Sequence, residues 1–264
     1  MMKKQTKKRG WKKALVIAAI ILGALLLAFG ALVIVQLGYF LPGNAAAYAV
    51  SSVQPSAQTD GPLSGKTIIF LGSSVTDGMN ARGESFVDYL AAIDGVKPIK
   101  EAVSGTTLIT TKGKNYIERM KTIDPSIYAD AFVCQLSTND ATIGAPLGRV
   151  SQGKELTDFD TATVAGAIEY IICYARQTWN CPVVFYTGTR YDSEAYGDMV
   201  DLLLEIQQKW DIGVLDLWND ADMNAVSAEE YALYMANGIH PTRAGYRIWW
   251  TPKFEAYLSE YLER

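Results

Sequence analysis

The sequence predicts an α/β fold: a three-layer α/β/α sandwich around a parallel, flavodoxin-like sheet, preceded by one N-terminal transmembrane helix. Three observations carry this expectation. From Gly65 onward, short apolar runs alternate with helical stretches, which implies a parallel sheet covered on both faces. Right-handed crossovers between such strands give three layers. Ahead of them, the chain carries an uncharged stretch long enough to cross a bilayer.

Met1–Lys13 holds seven Lys/Arg and no acid. Ala14–Val35 then runs for 22 residues without a charged or polar side chain; at about 1.5 Å per residue, such a helix crosses a hydrocarbon core of about 30 Å. Trp11 on one side, and Tyr39 and Phe40 on the other, suit the two interfaces. Residues 14–40 are therefore read as a single-pass anchor in the cell membrane. The basic flank 1–13 lies in the cytoplasm and everything after residue 40 outside. A cleaved signal peptide is the rival reading, because Ala45–Ala49 offers small residues to a peptidase, although its apolar region would exceed the usual 7–15 residues. Residues 41–64 read as a flexible linker, since Ala, Ser, Gln, Gly and Pro dominate Pro42–Ser64 and Asp60 is its single charge.

The remaining domain, 65–264, opens with Thr67–Leu71, an apolar β-branched run ended by Gly72. Further strands are expected at Pro98–Val103, Ala131–Leu136, Val183–Tyr186 and Gly213–Leu217. Helical periodicity places helices at Ser85–Ile93, Asn115–Ile123, Thr161–Gln177 and Ser193–Lys209, with Thr242–Leu262 closing the chain. Thr142–Asp160 has no clear pattern and is a candidate lid or binding loop.

Composition excludes several functions. After Lys13, 17 basic residues stand against 28 acidic ones, a net of −11, which makes nucleic acid and anionic polymers poor partners. No phosphate-binding motif occurs, neither G-x-x-x-x-G-K-S/T nor G-x-G-x-x-G, so no nucleotide cofactor is expected. The chain has one histidine, His240, and three cysteines, Cys134, Cys173 and Cys181, in no zinc-like spacing, so no metal is expected. Cys173 and Cys181 flank a predicted helix–strand loop, where a local disulfide competes with the alternative of three reduced thiols.

The chemistry-bearing residues sit at predicted strand ends. Two serines follow Gly72, where a hydroxyl projects into the crevice at a sheet's carboxyl edge; the alternative is a plain Ser/Thr-rich turn. A serine nucleophile needs a base, and His240 is the one imidazole available. Gly72-Ser73-Ser74-Val75-Thr76, Ser104-Gly105, Ser137-Thr138-Asn139-Asp140 and Asn237-Gly238-Ile239-His240-Pro241-Thr242 together, in this order, resemble the four blocks of the SGNH (GDSL-like) hydrolases. The resemblance implies Ser74 as nucleophile and His240 as base. It also implies an oxyanion hole made of the Ser74 N–H, the Gly105 N–H and the Asn139 side chain. Ser73 and Ser137 depart from the family pattern, and Asn237 stands where the family places the triad's Asp.

An amide at Asn237 can orient an imidazole through its oxygen but supplies no charge. Three readings follow: a slower Ser-His-Asn site, a Ser-His pair served by another acid such as Asp216 or Asp220, or a degenerate site that only binds. The function implied is an extracytoplasmic serine esterase that removes acyl groups, acetyl among them, from glycans or small esters. The alternatives are a silent binding or scaffold domain and a lysophospholipase-type lipid esterase. Trp218, Trp179 and Tyr191 lie near loops or strand ends, where stacking on a sugar competes with core packing.

Overall fold

The computed structural model describes residues 15–26, 30, 38, 40–54, 61–110 and 113–263. Five strands form one sheet: β1 (Thr67–Gly72), β2 (Lys97–Ala102), β3 (Ala131–Gln135), β4 (Val183–Tyr186) and β5 (Gly213–Leu215). All pairs are parallel, in the order β2-β1-β3-β4-β5. The apolar runs are continuous because each strand is covered twice. Ile69, Leu71, Phe132 and Phe185 enter one core, while Ile68, Phe70, Val133 and Tyr186 enter the other, as a period of two requires.

The helices divide between the two faces. In chain order they are α1 (Ser74–Asp77), α2 (Phe86–Asp94), α3 (Tyr116–Met120), α4 (Thr138–Thr142), α5 (Val164–Trp179), α6 (Glu194–Trp210), α7 (Ala228–Tyr234) and α8 (Thr251–Leu262). α3, α5 and α6 pack into the core of Ile69 and Phe132. α2 and α8 pack into that of Phe70, where Phe86 and Phe254 stack with centroids 3.7 Å apart. Trp179 stacks on Phe132 and Trp218 packs against Tyr196, so both belong to the core rather than to a sugar platform.

Several expected boundaries move for local reasons. Asn115 and Thr163 are caps, accepting from Glu118 N and Gly166 N, so the first helix begins one residue and the second three residues later than expected. The expected helix Thr242–Leu262 is interrupted: Gly245–Trp250 is a π-helical stretch ending where Thr251 N–H reaches Tyr246 O, just before Pro252, which has no N–H to continue the ladder. α7 was not anticipated, although Ser227 and Glu230 form a capping box at its start.

Four expectations need correction or restriction. Among the described residues no helix is long and apolar enough to cross a membrane. Residues 15–26 are helical, and most of the remainder of the expected span Ala14–Val35 lies outside the described residues. The segment 41–64 is not a bare linker in its first half. Pro42–Asn44, Ala46–Tyr48 and Val50–Ser52 are 3-10 turns strapped to the domain. The Asn44 side chain is buried, donating to Gly38 O and Asn80 O and accepting from Arg243 N. A Cβ on Gly43 would collide with Leu233 O and Thr242 Oγ1. Small side chains, read as a sign of mobility, here permit close docking.

The third point concerns sulfur, where the reading of three reduced thiols holds. All three cysteines are free; Cys173 lies well inside α5, its Sγ meeting Lys154 O and Gln177 Nε2 at 3.4 and 3.3 Å. Finally, the 142–160 loop is pinned rather than poised as a lid. Lys209 Nζ donates to Ser151 O and Gly153 O and pairs with the buried Glu169, which also accepts from Ser151 N.

Candidate active site

β1 connects to β2 on one side and β3 lies on the other, so the strand order reverses at the carboxyl ends of β1 and β3. A doubly wound sheet opens its ligand crevice at such a point. Ser74 begins α1 immediately after β1, and Asn139 lies on α4 immediately after β3. Gly72 is required at the bend, because a Cβ there would strike Thr76 Oγ1. Tyr246 Oη donates to Val75 O at 2.6 Å and holds the turn from behind.

His240 arrives from the loop after α7, and its Nε2 lies 2.8 Å from Ser74 Oγ. Its Nδ1 lies 3.0 Å from Asn237 Oδ1. That same oxygen accepts the backbone N–H groups of Ile239 and His240, each at 3.0 Å. Two backbone donors can face only the amide oxygen, so the side-chain orientation of Asn237 is determined by them. Nδ1 therefore carries the proton, and Nε2 presents its lone pair to the Ser74 hydroxyl. Burial pulls the His240 pKa down to about 4, which keeps the ring neutral. Such an arrangement can draw a proton from Ser74.

Asp216 and Asp220 do not take the place of an acid beside His240. Asp216 accepts from Thr187 and Asn219, and Asp220 pairs with Lys253 and accepts from Met223 N. Among the described residues, Asn237 is the one that meets Nδ1.

The expected oxyanion donors follow the carboxyl ends of β1, β2 and β3. Among the described residues neither Ser74 N–H nor Gly105 N–H is spent on a protein acceptor. Gly105 has φ +80°, a conformation that favours glycine. Asn139 donates one Nδ2 hydrogen to Thr106 O at 2.8 Å, so the amide braces the Gly105 loop and retains its second hydrogen.

Three supporting residues escaped sequence reasoning. Asp140, fully buried, accepts from Leu108 N and Ile109 N at 2.8 and 3.1 Å, tying the third block to the second. Desolvation pushes its carboxyl pKa up. Arg119, also buried, donates to Gly72 O, Glu101 O and Thr106 Oγ1, linking the ends of β1 and β2 to the Gly105 loop. Gln135, the last residue of β3, accepts from the turn that carries Ser74. Buried polar residues in a strand or helix give no sequence signal except their mismatch with an apolar surrounding. A cavity of about 370 Å³ adjoins the site, lined by Asp77, Met79, Arg82 and Ser104 among others.

The model of the GDSL-like lipase/acylhydrolase family matches residues 70–248. The chain belongs to this family. The match runs from the end of β1 past the His240 loop, hence over Ser74, Gly105, Asn139, Asn237 and His240. Solved structures agree in fold. A protein from Lactobacillus plantarum superposes with a TM-score of 0.61 at 22% identity, over 75% of this chain and 96% of that one. A possible lipase from Chitinophaga pinensis DSM 2588 gives 0.53 at 18%, over 75% and 97%. A family two carbohydrate esterase from Clostridium thermocellum, in complex with cellohexaose, gives 0.54 at 14%, over 75% and 65%. No curated protein matches the sequence. Membership of this family of GDSL-like acylhydrolases makes the chain a relative of ester-bond hydrolases.

Proposed function

We propose that the protein is a serine esterase that deacylates glycans or small esters outside the cell membrane, with Ser74 as nucleophile, His240 as base and Asn237 as the residue that orients it. The observation that carries this reading is the 2.8 Å contact between Ser74 Oγ and His240 Nε2, with Nδ1 held on Asn237. His240 takes the Ser74 proton as Oγ attacks the ester carbonyl. The negative oxygen meets the Ser74 and Gly105 N–H groups and the free Asn139 hydrogen. His240 then returns the proton to the leaving alcohol, and water repeats the cycle on the acyl-enzyme.

Glycan esters are favoured by the fold shared with a carbohydrate esterase, a likeness of architecture alone. Action outside the membrane is favoured by the basic flank and the uncharged Ala14–Val35 stretch. In the described part of that stretch, Leu15, Ile20 and Leu26 are more than half exposed, an apolar surface suited to lipid. A second reading, lipid esters, is favoured by Met79, Val103 and Ile143. These are exposed by 36, 41 and 58%, and each lies within a few residues of Ser74, Gly105 or Asn139.

The experiment is turnover of short- and long-chain chromogenic esters by the full chain in detergent, beside Ser74→Ala. Loss of turnover in the variant and fluorophosphonate labelling at Ser74 are expected. Equal rates for the two proteins would remove the esterase reading, and a strong preference for long chains would favour the lipid one.

A further inference from the structure

A helix start leaves several backbone N–H groups without partners inside the helix. In the turn Ser73-Ser74-Val75-Thr76, one buried side chain disposes of two of them. Gln135 Oε1, on a residue 1% exposed, accepts from Ser73 N at 2.9 Å and Thr76 N at 3.3 Å. It also accepts from Thr76 Oγ1 at 2.8 Å, and that hydroxyl lies 2.6 Å from Tyr186 Oη. The N–H of Ser74, lying between the two that are taken, donates to no protein acceptor among the described residues.

From this pattern we infer that Gln135 is a positioning residue for the reaction. Its amide oxygen fastens the N–H groups on either side of Ser74, so that the Ser74 N–H stays unspent and aimed at the ester oxygen. The inference rests on the esterase reading above. Gln135 touches no reacting atom; it acts through the backbone it holds. The neutral amide suits the place, because an acceptor is needed while a full negative charge beside a developing oxyanion opposes it. Tyr186 and Tyr246 hold the same turn through Thr76 Oγ1 and Val75 O, whereas Gln135 engages its N–H groups.

The test compares Gln135→Met, which keeps length and removes the acceptor, with Gln135→Glu, which keeps the acceptor. For Gln135→Met, kcat and the rate of Ser74 labelling by a fluorophosphonate are expected to fall roughly 10²-fold together, with KM within about threefold. Gln135→Glu is expected to recover about a tenth of the wild-type labelling rate or more. Labelling of folded Gln135→Met within twofold of wild type, or of Gln135→Glu no faster than Gln135→Met, overturns the inference. Should the variants not fold, amide hydrogen exchange of the wild type still decides. Protected Ser73 and Thr76 with faster-exchanging Ser74 support it, and a protected Ser74 overturns it. Ester turnover that survives Ser74→Ala would instead sink the esterase reading, while the exchange pattern reads Gln135 independently.

Discussion

Asn237 Oδ1 receives three N–H groups, two from the backbone and one from the His240 ring, all at 3.0 Å. An amide in a catalytic dyad risks turning its NH2 toward the imidazole and selecting the wrong tautomer; in serine proteases that error accounts for a loss of about 10⁴. Here the backbone donors forbid it. In the proposed esterase the carboxamide would therefore perform the orienting half of the usual acid's work and lack only the charge.

It follows that Asn237→Asp gains modestly. An increase in kcat of about tenfold at neutral pH is expected, far below the 10⁴ seen where the tautomer is wrong. Asn237→Ala, which frees the ring, is expected to lose roughly 10²-fold. Steady-state kinetics on one chromogenic ester checks both, and a gain above 10³ would show that the native ring is misoriented.

The pH profile has a definite sign. Burial places the His240 pKa at about 4 in the folded protein, against an ordinary value near 6.5. Base catalysis needs the neutral ring, so the acid limb of kcat/KM is expected near pH 4. In Asn237→Asp the added carboxylate favours the imidazolium and moves that limb upward by one unit or more. The same depression makes folding stability fall as pH drops from about 6.5 to about 4, because only the unfolded chain binds the proton there. Denaturant unfolding of wild type and His240→Gln at pH 7 and pH 4.5 measures this: the wild type loses more stability between the two.

Asp140→Ala leaves Leu108 N and Ile109 N without their acceptor in a buried loop. A loss of about 3 kcal/mol is expected, together with a fall in kcat as the Gly105 loop relaxes. Urea unfolding and ester turnover check the two effects.

The cysteines supply a simple check. Denatured without reductant, the protein is expected to take up three equivalents of a thiol reagent, one at each free sulfur. One equivalent would mean that Cys173 and Cys181 are joined.

The parallel sheet was legible because β1, β3 and β4 are short apolar runs between helical repeats. The pairing of Ser74 with His240 was legible because both lie at a strand end or in a loop, where residue type reflects chemistry more than packing. Gln135 and Arg119 were not, since their roles depend on which backbone groups lie across from them in space. The docked turns after Leu41 were misread for a related reason. Alanine and glycine there mark contact too close for larger side chains, and composition alone cannot separate that from slack chain. The pinning of the loop at 142–160 was not legible because Lys209, which holds Ser151 O and Gly153 O, lies far along the chain.

Those docked turns bear on how the protein is handled. Asn44 is bonded to the backbone only three residues after His240, which ties the His240 loop to the docked turns. A soluble form beginning at Gly65 would discard this prop and leave the His240 loop to its remaining bonds, among them Ala236 N to His240 O and Thr242 N to Tyr234 O. One beginning before Gly38 keeps it. Tension applied to the chain upstream of Pro42 would load the Asn44 bonds to Asn80 O and Arg243 N directly.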